Sequence, residues 1–355
     1  DGITSDASGG AIYKAAGAGT YTLSFNSGAN YMFNGTDNQV IGTGLPSGVN
    51  NLTINNSHTN GVTLTNNLIV NGTLELVDGV FNINDKSLTI KDLSVTDGKI
   101  NAKTSGSSLI FENLDIISLA ANTIVDNELH NLHINGAGGL ELNASTIVNG
   151  SLGLQSGIIS YSDDYTMIIN TIDETHSGSV NSFVNGNLNK ESISDEFTFP
   201  TGHVTIRNVG YGEKEYSVFG PIKVEYENGS KDFAEVSVRY YFSNENLPTW
   251  WYHNWSHESP LRHTSDREYW LIDSDKDLKV TLIWNKDNSI PDQCIHSICT
   301  LDDIGELSLE EFISLAYWAP KWTEAADVII AGGSDLNSGS LTGTIPFENG
   351  SKNGG

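Results

Sequence analysis

The chain has 355 residues, of which 44 are acidic and 18 are basic, and its formal net charge is −26. A surface this acidic repels phosphate backbones and anionic headgroups, so the composition argues against nucleic acid and anionic membranes as partners. The many glycines (36) and the low content of charged residues (17%) are typical of an extracellular β-protein with many tight turns.

The length predicts about two domains. No segment approaches the run of about 18 apolar residues that a membrane helix needs, so we expect no membrane insertion. The chain starts with DGITSDASGG, which contains neither a basic region nor an apolar core. Any export signal is therefore expected to lie upstream or to have been removed.

From about residue 21 to residue 184 the chain is a series of short segments in which apolar residues alternate with polar ones, the period of half-buried strands. Residues 51–81 return in changed form at residues 131–159. NLTIN (Asn51–Asn55) becomes NLHIN (Asn131–Asn135), and VTLTNNLIVNGTLEL (Val62–Leu76) becomes LELNASTIVNGSLGL (Leu140–Leu154). Self-similarity of this kind indicates a stacked repeat architecture.

Pairs ending in glycine punctuate these strands, and glycine can supply the positive φ that a sharp corner requires. We therefore expect corners at Asn71-Gly72, Asp78-Gly79, Asp97-Gly98, Asn135-Gly136, Asn149-Gly150 and Ser156-Gly157.

Two arrangements satisfy this pattern, an antiparallel stack of hairpins and a β-solenoid with coils of about 20 residues. Similar strands recur about one coil apart, at Leu52, Leu68, Leu88, Leu109 and Leu132, which favours the solenoid. We predict a solenoid over residues 1–185, including an N-terminal cap, with the repeat spanning roughly four coils.

Composition changes near residue 186. All seven tryptophans and both cysteines follow, and the strands become longer and richer in aromatic residues. About eight strands with irregular connections predict an antiparallel β-sandwich over residues 186–347. Residues 348–355 resemble a linker or tail.

An aromatic segment in this second part contains Trp250, Trp251, Tyr252 and Trp255. Neighbouring residues on a strand point to opposite sides, so these rings cannot all face one core. They form a candidate contact surface for a protein or a glycan. The alternative is a long loop that buries the rings against the sandwich edge.

Asp273, Asp275 and Asp277 form an oxygen-rich array suited to calcium, and alternate residues on a strand share one face. The alternative is a solvated turn between two strands, because the other ligands of a calcium loop are missing. We expect no other cofactor.

Cys294 and Cys299 are the two cysteines of the chain, and their spacing favours a local disulfide in an oxidising compartment over a reduced pair. Enzyme motifs are missing: the sequence has no GxSxG elbow, no HExxH and no phosphate-binding loop. The carboxylates available on the solenoid do not form an obvious acid–base pair; they are Asp126, Glu128, Glu141, Asp163 and Asp164.

The chain resembles the extracellular β-repeat proteins of Bacteroidota that are exported by the type IX system. In the first half the segments that carry the resemblance are Tyr31–Ser57 and Gly61–Asn84, with their FNG, NLTINN and LIVNGTLEL strands. In the second half they are Phe197–His203, Arg267–Asp275, Val280–Asn285, Ile313–Ala325 and Gly339–Phe347. The resemblance implies a repeat region followed by a β-sandwich, on the outer cell surface or secreted.

We therefore expect a non-enzymatic structural or adhesive protein, in which a solenoid stalk carries a β-sandwich. Such a protein could also be the protomer of a surface filament, with self-association or surface glycans and proteins as its contacts. The alternative from another class is a glycan-binding module or a polysaccharide-active β-helix enzyme.

Overall fold

A computed structural model describes most of the first half of the chain and the strands of the second half. The described residues are 25–42, 44–193, 195–208, 213–226, 234–242, 268–285, 289–290, 316–318, 322–324, 326–332, 338–346 and 353–354. Every regular element among them is a β-strand, which confirms the all-β prediction. In the part of the chain that is described, no helix is long and apolar enough to cross a membrane.

The chain divides into two compact units, Asp1–Ser177 and Gly178–Gly355, close to the predicted boundary after residue 185. The described part of the first unit consists of strands β1–β17. They are β1 (Tyr31–Phe33), β2 (Gln39–Val40), β3 (Gly48–Val49), β4 (Leu52–Asn55), β5 (Val62–Thr63), β6 (Leu68–Asp78), β7 (Val80–Asn82), β8 (Ser87–Val95), β9 (Lys99–Ala102), β10 (Ser108–Phe111), β11 (Ile117–Leu119), β12 (Ile124–Leu129), β13 (Asn131–Asn135), β14 (Leu140–Leu142), β15 (Thr146–Ser156), β16 (Ile159–Ser160) and β17 (Thr166–Ser177).

The first unit is a β-solenoid of about eight turns, as predicted. Its strands form parallel ladders, in which each strand pairs with the equivalent strand one coil later. Ladder 2 joins β3, the first halves of β6 and β8, then β10, β13 and the second halves of β15 and β17. Four of the leucines predicted to recur one coil apart, Leu68, Leu88, Leu109 and Leu132, are successive partners in this ladder, and Leu152 continues it. Leu52 does not precede Leu68 in the ladder, because its partner in the next coil is Leu74. The parallel pairing rules out a hairpin stack.

Three other ladders complete the coils. Ladder 1 joins β1, β4 and the second halves of β6 and β8. Ladder 3 joins β2, β5, β7, β9, β12 and the first halves of β15 and β17. Ladder 4 joins β11, β14 and β16. In the later coils the chain passes from ladder 2 to ladder 4, whereas in the earlier coils it passes from ladder 2 to ladder 1.

Alternation of side chains along each strand builds one apolar core through the stack. The inward residues Leu52, Ile54, Leu88, Leu109 and Leu132 are fully buried, because the same position of the next coil covers each of them. The alternating pattern read from the sequence thus identifies the core correctly.

The glycine prediction is only partly correct. Gly79 and Gly157 have φ of 79° and 92° and form sharp corners. Gly72 and Gly150 instead lie inside the long strands β6 and β15, where the ladder register shifts at a β-bulge. Glycine is required at these two positions because an asparagine side chain of the preceding coil approaches the backbone closely, and not because φ is positive. An added Cβ would lie 2.1 Å and 2.3 Å from the side-chain oxygens of Asn51 and Asn131, respectively.

The second unit contains strands that pair mainly antiparallel. Its strands are β18 (Val184–Asn185), β19 (Asn187–Ile193), β20 (Glu196–Phe199), β21 (Gly202–Asn208), β22 (Glu213–Phe219), β23 (Ile222–Glu225), β24 (Ala234–Phe242), β25 (Glu268–Ser274), β26 (Leu278–Asn285), β27 (Ser289–Ile290), β28 (Ala316–Trp318), β29 (Trp322–Glu324), β30 (Ala326–Gly332), β31 (Ser338–Ile345) and β32 (Asn353–Gly354).

Two sheets dominate this unit, β19-β24-β25-β32 and β20-β23-β26-β31-β30. Gly220, in the connection before β23, contacts the first of these sheets, because its carbonyl accepts a hydrogen bond of 3.0 Å from the Trp270 indole N–H. An added Cβ at Gly220 would lie 2.6 Å from the Tyr240 ring, so this connection packs closely on β24. The antiparallel sheets are confirmed, and the sandwich is supported for the strands whose side chains are described.

Candidate functional site

Two of the predicted sites lie outside the described residues. They are the aromatic surface of Trp250, Trp251, Tyr252 and Trp255, and the disulfide between Cys294 and Cys299. Both stay predictions from the sequence.

The acidic array of the second unit lies at the end of a strand rather than along it. β25 ends at Ser274, so Asp273 is in the strand whereas Asp275 and Asp277 are exposed in the turn that follows. Asp275 Oδ1 accepts a hydrogen bond of 3.0 Å from the backbone N–H of Glu235. No group of three or more acidic, histidine or cysteine side chains among the described residues could hold a metal ion, so the three carboxylates do not converge. Calcium binding here stays a prediction.

Two carboxylates of the solenoid do come together, around a lysine. Lys103 Nζ donates a hydrogen bond to Asp126 and lies 3.8 Å from Glu128 Oε2. The hydrogen bond to Asp126 raises the pKa of Lys103, which favours the charged form of this ammonium. The group is an ion-pair cluster on the surface of the solenoid.

The most unusual surface of the solenoid lies where ladder 1 ends. Phe33, Ile54 and Leu76 occupy one inward position in three successive coils and are almost fully buried. Val95 follows at the same position in the next coil, yet 39% of it is exposed. Its exposure shows that the following coil does not cover it.

The following coil runs through Glu112–Ile116 without forming a strand at this place. Ile90 and Phe111 are ladder partners on consecutive coils. The number of residues from Ile90 to Val95 is the same as the number from Phe111 to Ile116. Leu114 is 85% exposed and Ile116 is 62% exposed. Val95, Leu114 and Ile116 are thus exposed apolar side chains on two consecutive coils, which we call the exposed stripe. Of the three, Val95 occupies a ladder position that holds core residues in the earlier coils.

A buried asparagine fixes the loop that carries this stripe. The Asn113 side-chain amide donates hydrogen bonds to the carbonyls of Asp115 (2.7 Å) and Gly139 (2.6 Å). Gly136 and Gly138 of the next coil pack so closely on this loop that an added Cβ would lie 2.2 Å and 2.3 Å from its backbone atoms. The exposed side chains are therefore held on a backbone that the neighbouring coil braces.

One feature of the sequence indicates an exposed apolar residue in this stripe, although the alternation of apolar and polar residues does not. Ile116 and Ile117 are adjacent apolar residues, and on an extended chain only one of them can face the core. The structure buries Ile117 and exposes Ile116.

No protein-family model, no curated protein and no solved structure matches this chain significantly.

Proposed function

We propose that this chain is a non-enzymatic, structural or adhesive protein of the cell surface or the extracellular space, exported by the type IX route. The solenoid serves as a stiff stalk, and the aromatic-rich second unit carries recognition. The strongly acidic composition and the glycine-rich turns support an extracellular setting.

The observation that carries this proposal is the parallel stacking of the solenoid. Each coil pairs with the next through at least two ladders, and one apolar core runs through the described coils. Stacked coils of this kind form a quasi-one-dimensional rod whose stability comes from contacts between neighbours. A rod keeps its shape without a ligand, which suits a spacer.

The exposed stripe of Val95, Leu114 and Ile116 supplies a contact point on this stalk. Apolar side chains on a braced loop lower their free energy when another surface covers them. We infer that the stripe takes part in association, either with another copy of the chain in a filament or with a surface partner.

Electron microscopy of the purified chain, with light scattering after size-exclusion chromatography, tests both parts of the proposal. We expect rod-shaped particles and assemblies whose mass rises with concentration. The double variant Leu114→Ser, Ile116→Ser should remain rod-shaped but lose the concentration dependence. Globular particles would contradict the stalk, and a monomer at every concentration would contradict the filament.

A glycan array distinguishes adhesion to sugars from protein contacts. Binding that Trp250→Ala and Trp255→Ala abolish would assign recognition to the aromatic segment. Turnover of an acidic polysaccharide by the purified chain would overturn the non-enzymatic proposal in favour of a polysaccharide-active enzyme.

A further inference from the structure

Asparagine followed by glycine is the dipeptide that most readily undergoes a reaction within the main chain. The glycine nitrogen attacks the side-chain carbonyl carbon of the asparagine, and the missing Cβ of glycine leaves that approach unhindered. The reaction needs a free asparagine side chain and a glycine N–H that is not held in place. Six such pairs have described side chains: Asn34-Gly35, Asn60-Gly61, Asn71-Gly72, Asn135-Gly136, Asn149-Gly150 and Asn185-Gly186.

The two pairs inside the long strands β6 and β15 are held by hydrogen bonds between coils. The Gly72 N–H donates to the carbonyl of Asn50 at 2.7 Å, and the Gly150 N–H donates to the carbonyl of His130 at 2.7 Å. Each bond joins two neighbouring coils, so the structure has to open locally before the glycine nitrogen can attack. Both pairs are therefore protected in the folded chain.

Two further pairs are closed off by packing. Gly136 is buried, and a Cβ added there would lie 2.2 Å from the backbone nitrogen of Asn113. Gly186 is buried as well, and so is the side-chain oxygen of Asn185. Close packing at both positions opposes the rearrangement that ring closure requires.

The asparagine of the next pair, Asn60, is exposed, but its turn holds the backbone in place. The Gly61 N–H donates to the carbonyl of His58 at 2.8 Å. The carbonyl of Asn60 accepts the side-chain amide of Asn82 at 2.8 Å. A Cβ added at Gly61 would lie 1.9 Å from the carbonyl oxygen of Val80, so the next coil also packs on this turn. The attack again requires local opening.

The sixth pair, Asn34-Gly35, lies in the connection between β1 and β2, where no strand holds the backbone. Asn34 is exposed, and its side chain makes no hydrogen bond within the described residues. The Gly35 N–H donates to a side chain, Gln39 Oε1, at 3.2 Å. The same oxygen accepts the Asn56 amide at 2.8 Å, so it keeps a partner when the Gly35 N–H turns away. A single hydrogen bond to a side chain thus holds this glycine nitrogen.

We propose that Asn34 is a site of spontaneous deamidation in the folded chain. The Gly35 nitrogen loses its proton and bonds to the side-chain carbonyl carbon of Asn34, while the side-chain nitrogen leaves that carbon as ammonia. Water then opens the cyclic succinimide at either carbonyl, which gives aspartate or isoaspartate at position 34. The product carries a new negative charge, and isoaspartate also adds a methylene to the main chain between β1 and β2. This chemistry does not depend on the proposed structural or adhesive role.

Peptide mapping by mass spectrometry tests this site on the full chain after incubation at pH 8 in water enriched in heavy oxygen. The label marks carboxylates that form during the incubation, and each pair is scored in its own peptide. The rate in the folded chain is compared with the rate in the same chain unfolded by guanidinium chloride. We expect folded Asn34 to react within about fivefold of its unfolded rate, the factor that one ordinary hydrogen bond contributes. Asn60, Asn71 and Asn149 should be slowed by more than about tenfold, because their backbone has to open first.

Gln39→Ala and Gln39→Glu form a matched pair of variants, since only the first removes the acceptor of the Gly35 N–H. Gln39→Ala should raise the rate at Asn34 by up to about fivefold, whereas Gln39→Glu should keep the wild-type rate or lower it. Neither should change the rate at Asn71. A rate at Asn34 as far below its unfolded value as that of Asn71 would overturn the proposal, and so would a folded rate at Asn60 equal to that at Asn34.

Discussion

The side-chain carbonyl of Asn51 accepts a hydrogen bond of 2.9 Å from the backbone N–H of Thr73, one coil later. The same bond recurs in the second copy of the repeat, where Asn131 accepts the N–H of Ser151 at 2.9 Å. Both bonds lie next to the Asn-Gly bulge of a long strand. The two halves of the repeat motif therefore depend on each other across the coil boundary, which explains why they recur together.

Replacing Asn51 with alanine should lower the free energy of unfolding by about 1 kcal/mol, since it leaves the Thr73 N–H without its acceptor at the bulge. Urea denaturation followed by circular dichroism measures the change. Asn55→Ala is the matched control, because Asn55 is exposed and its side chain makes no hydrogen bond within the described residues. Equal effects of the two substitutions would contradict the role of Asn51.

Gly79→Ala should destabilise the solenoid far more than Gly106→Ala. Both glycines have positive φ, 79° and 89°, so alanine costs about 1–2 kcal/mol at either position from backbone strain alone. At Gly79 the new Cβ would also lie 1.7 Å from the carbonyl oxygen of Asn56, whereas at Gly106 the nearest atom is 3.7 Å away. Thermal unfolding of the two variants separates strain from steric clash, and similar melting temperatures would refute the clash.

Asp173→Asn should reduce stability at neutral pH, and the difference from the wild type should vanish in acid. Hydrogen bonds from His176 and Thr175 lower the pKa of Asp173 from 3.8 to about 2. Because the folded-state pKa is the lower one, the stabilisation is present above pH 3.8 and is lost as the pH falls to about 2.

Urea denaturation at several pH values between 7 and 2 measures this difference. Asp164→Asn, a change to an exposed carboxylate in the turn before β17, is the control and should leave the profile unchanged. A constant difference between Asp173→Asn and the wild type down to pH 2 would contradict the assignment.

Leu114→Ser should leave the unfolding free energy almost unchanged, because the side chain is already in water. Leu109→Ala, in the preceding strand β10, removes a fully buried core side chain and should cost about 2–5 kcal/mol. Chemical denaturation compares the two. A large loss of stability in Leu114→Ser would mean that the residue is part of the core and not of a contact surface.

The sequence predicts the solenoid well because its dominant signal is local. The alternation at Leu52 and Ile54 returns one coil later at Leu74 and Leu76, which specifies both the strand and its partner. The role of each glycine is harder to predict, since Gly72 and Gly79 look alike in sequence. Only the neighbouring coil shows that Gly72 makes room for an asparagine side chain while Gly79 forms a corner.

Contacts between coils are the part that the sequence does not reveal. His133 and Asp173 are far apart along the chain, and only the ladder register places both beside Gly153. For the acidic array the sequence left two alternatives open, a strand face and a turn between two strands, and the structure decides between them. Asp273 and Asp275 share a face only on a continuous strand, and β25 ends between them at Ser274.

The second copy of the repeat does not lie directly above the first. Asn51–Asn55 belongs to ladder 1, whereas Asn131–Asn135 belongs to ladder 2. The repeated glycines differ in the same way, since Gly72 lies between the ladder 2 and ladder 1 segments of β6, and Gly150 between the ladder 3 and ladder 2 segments of β15. The offset between the two copies is therefore one side of a coil less than a whole number of coils.

Duplication of this segment thus lengthens the rod by roughly 18 Å, at about 4.8 Å per coil, and turns the copied surface by about a third of a revolution. A stalk that grew in this way would present the same side chains in a new direction with every copy.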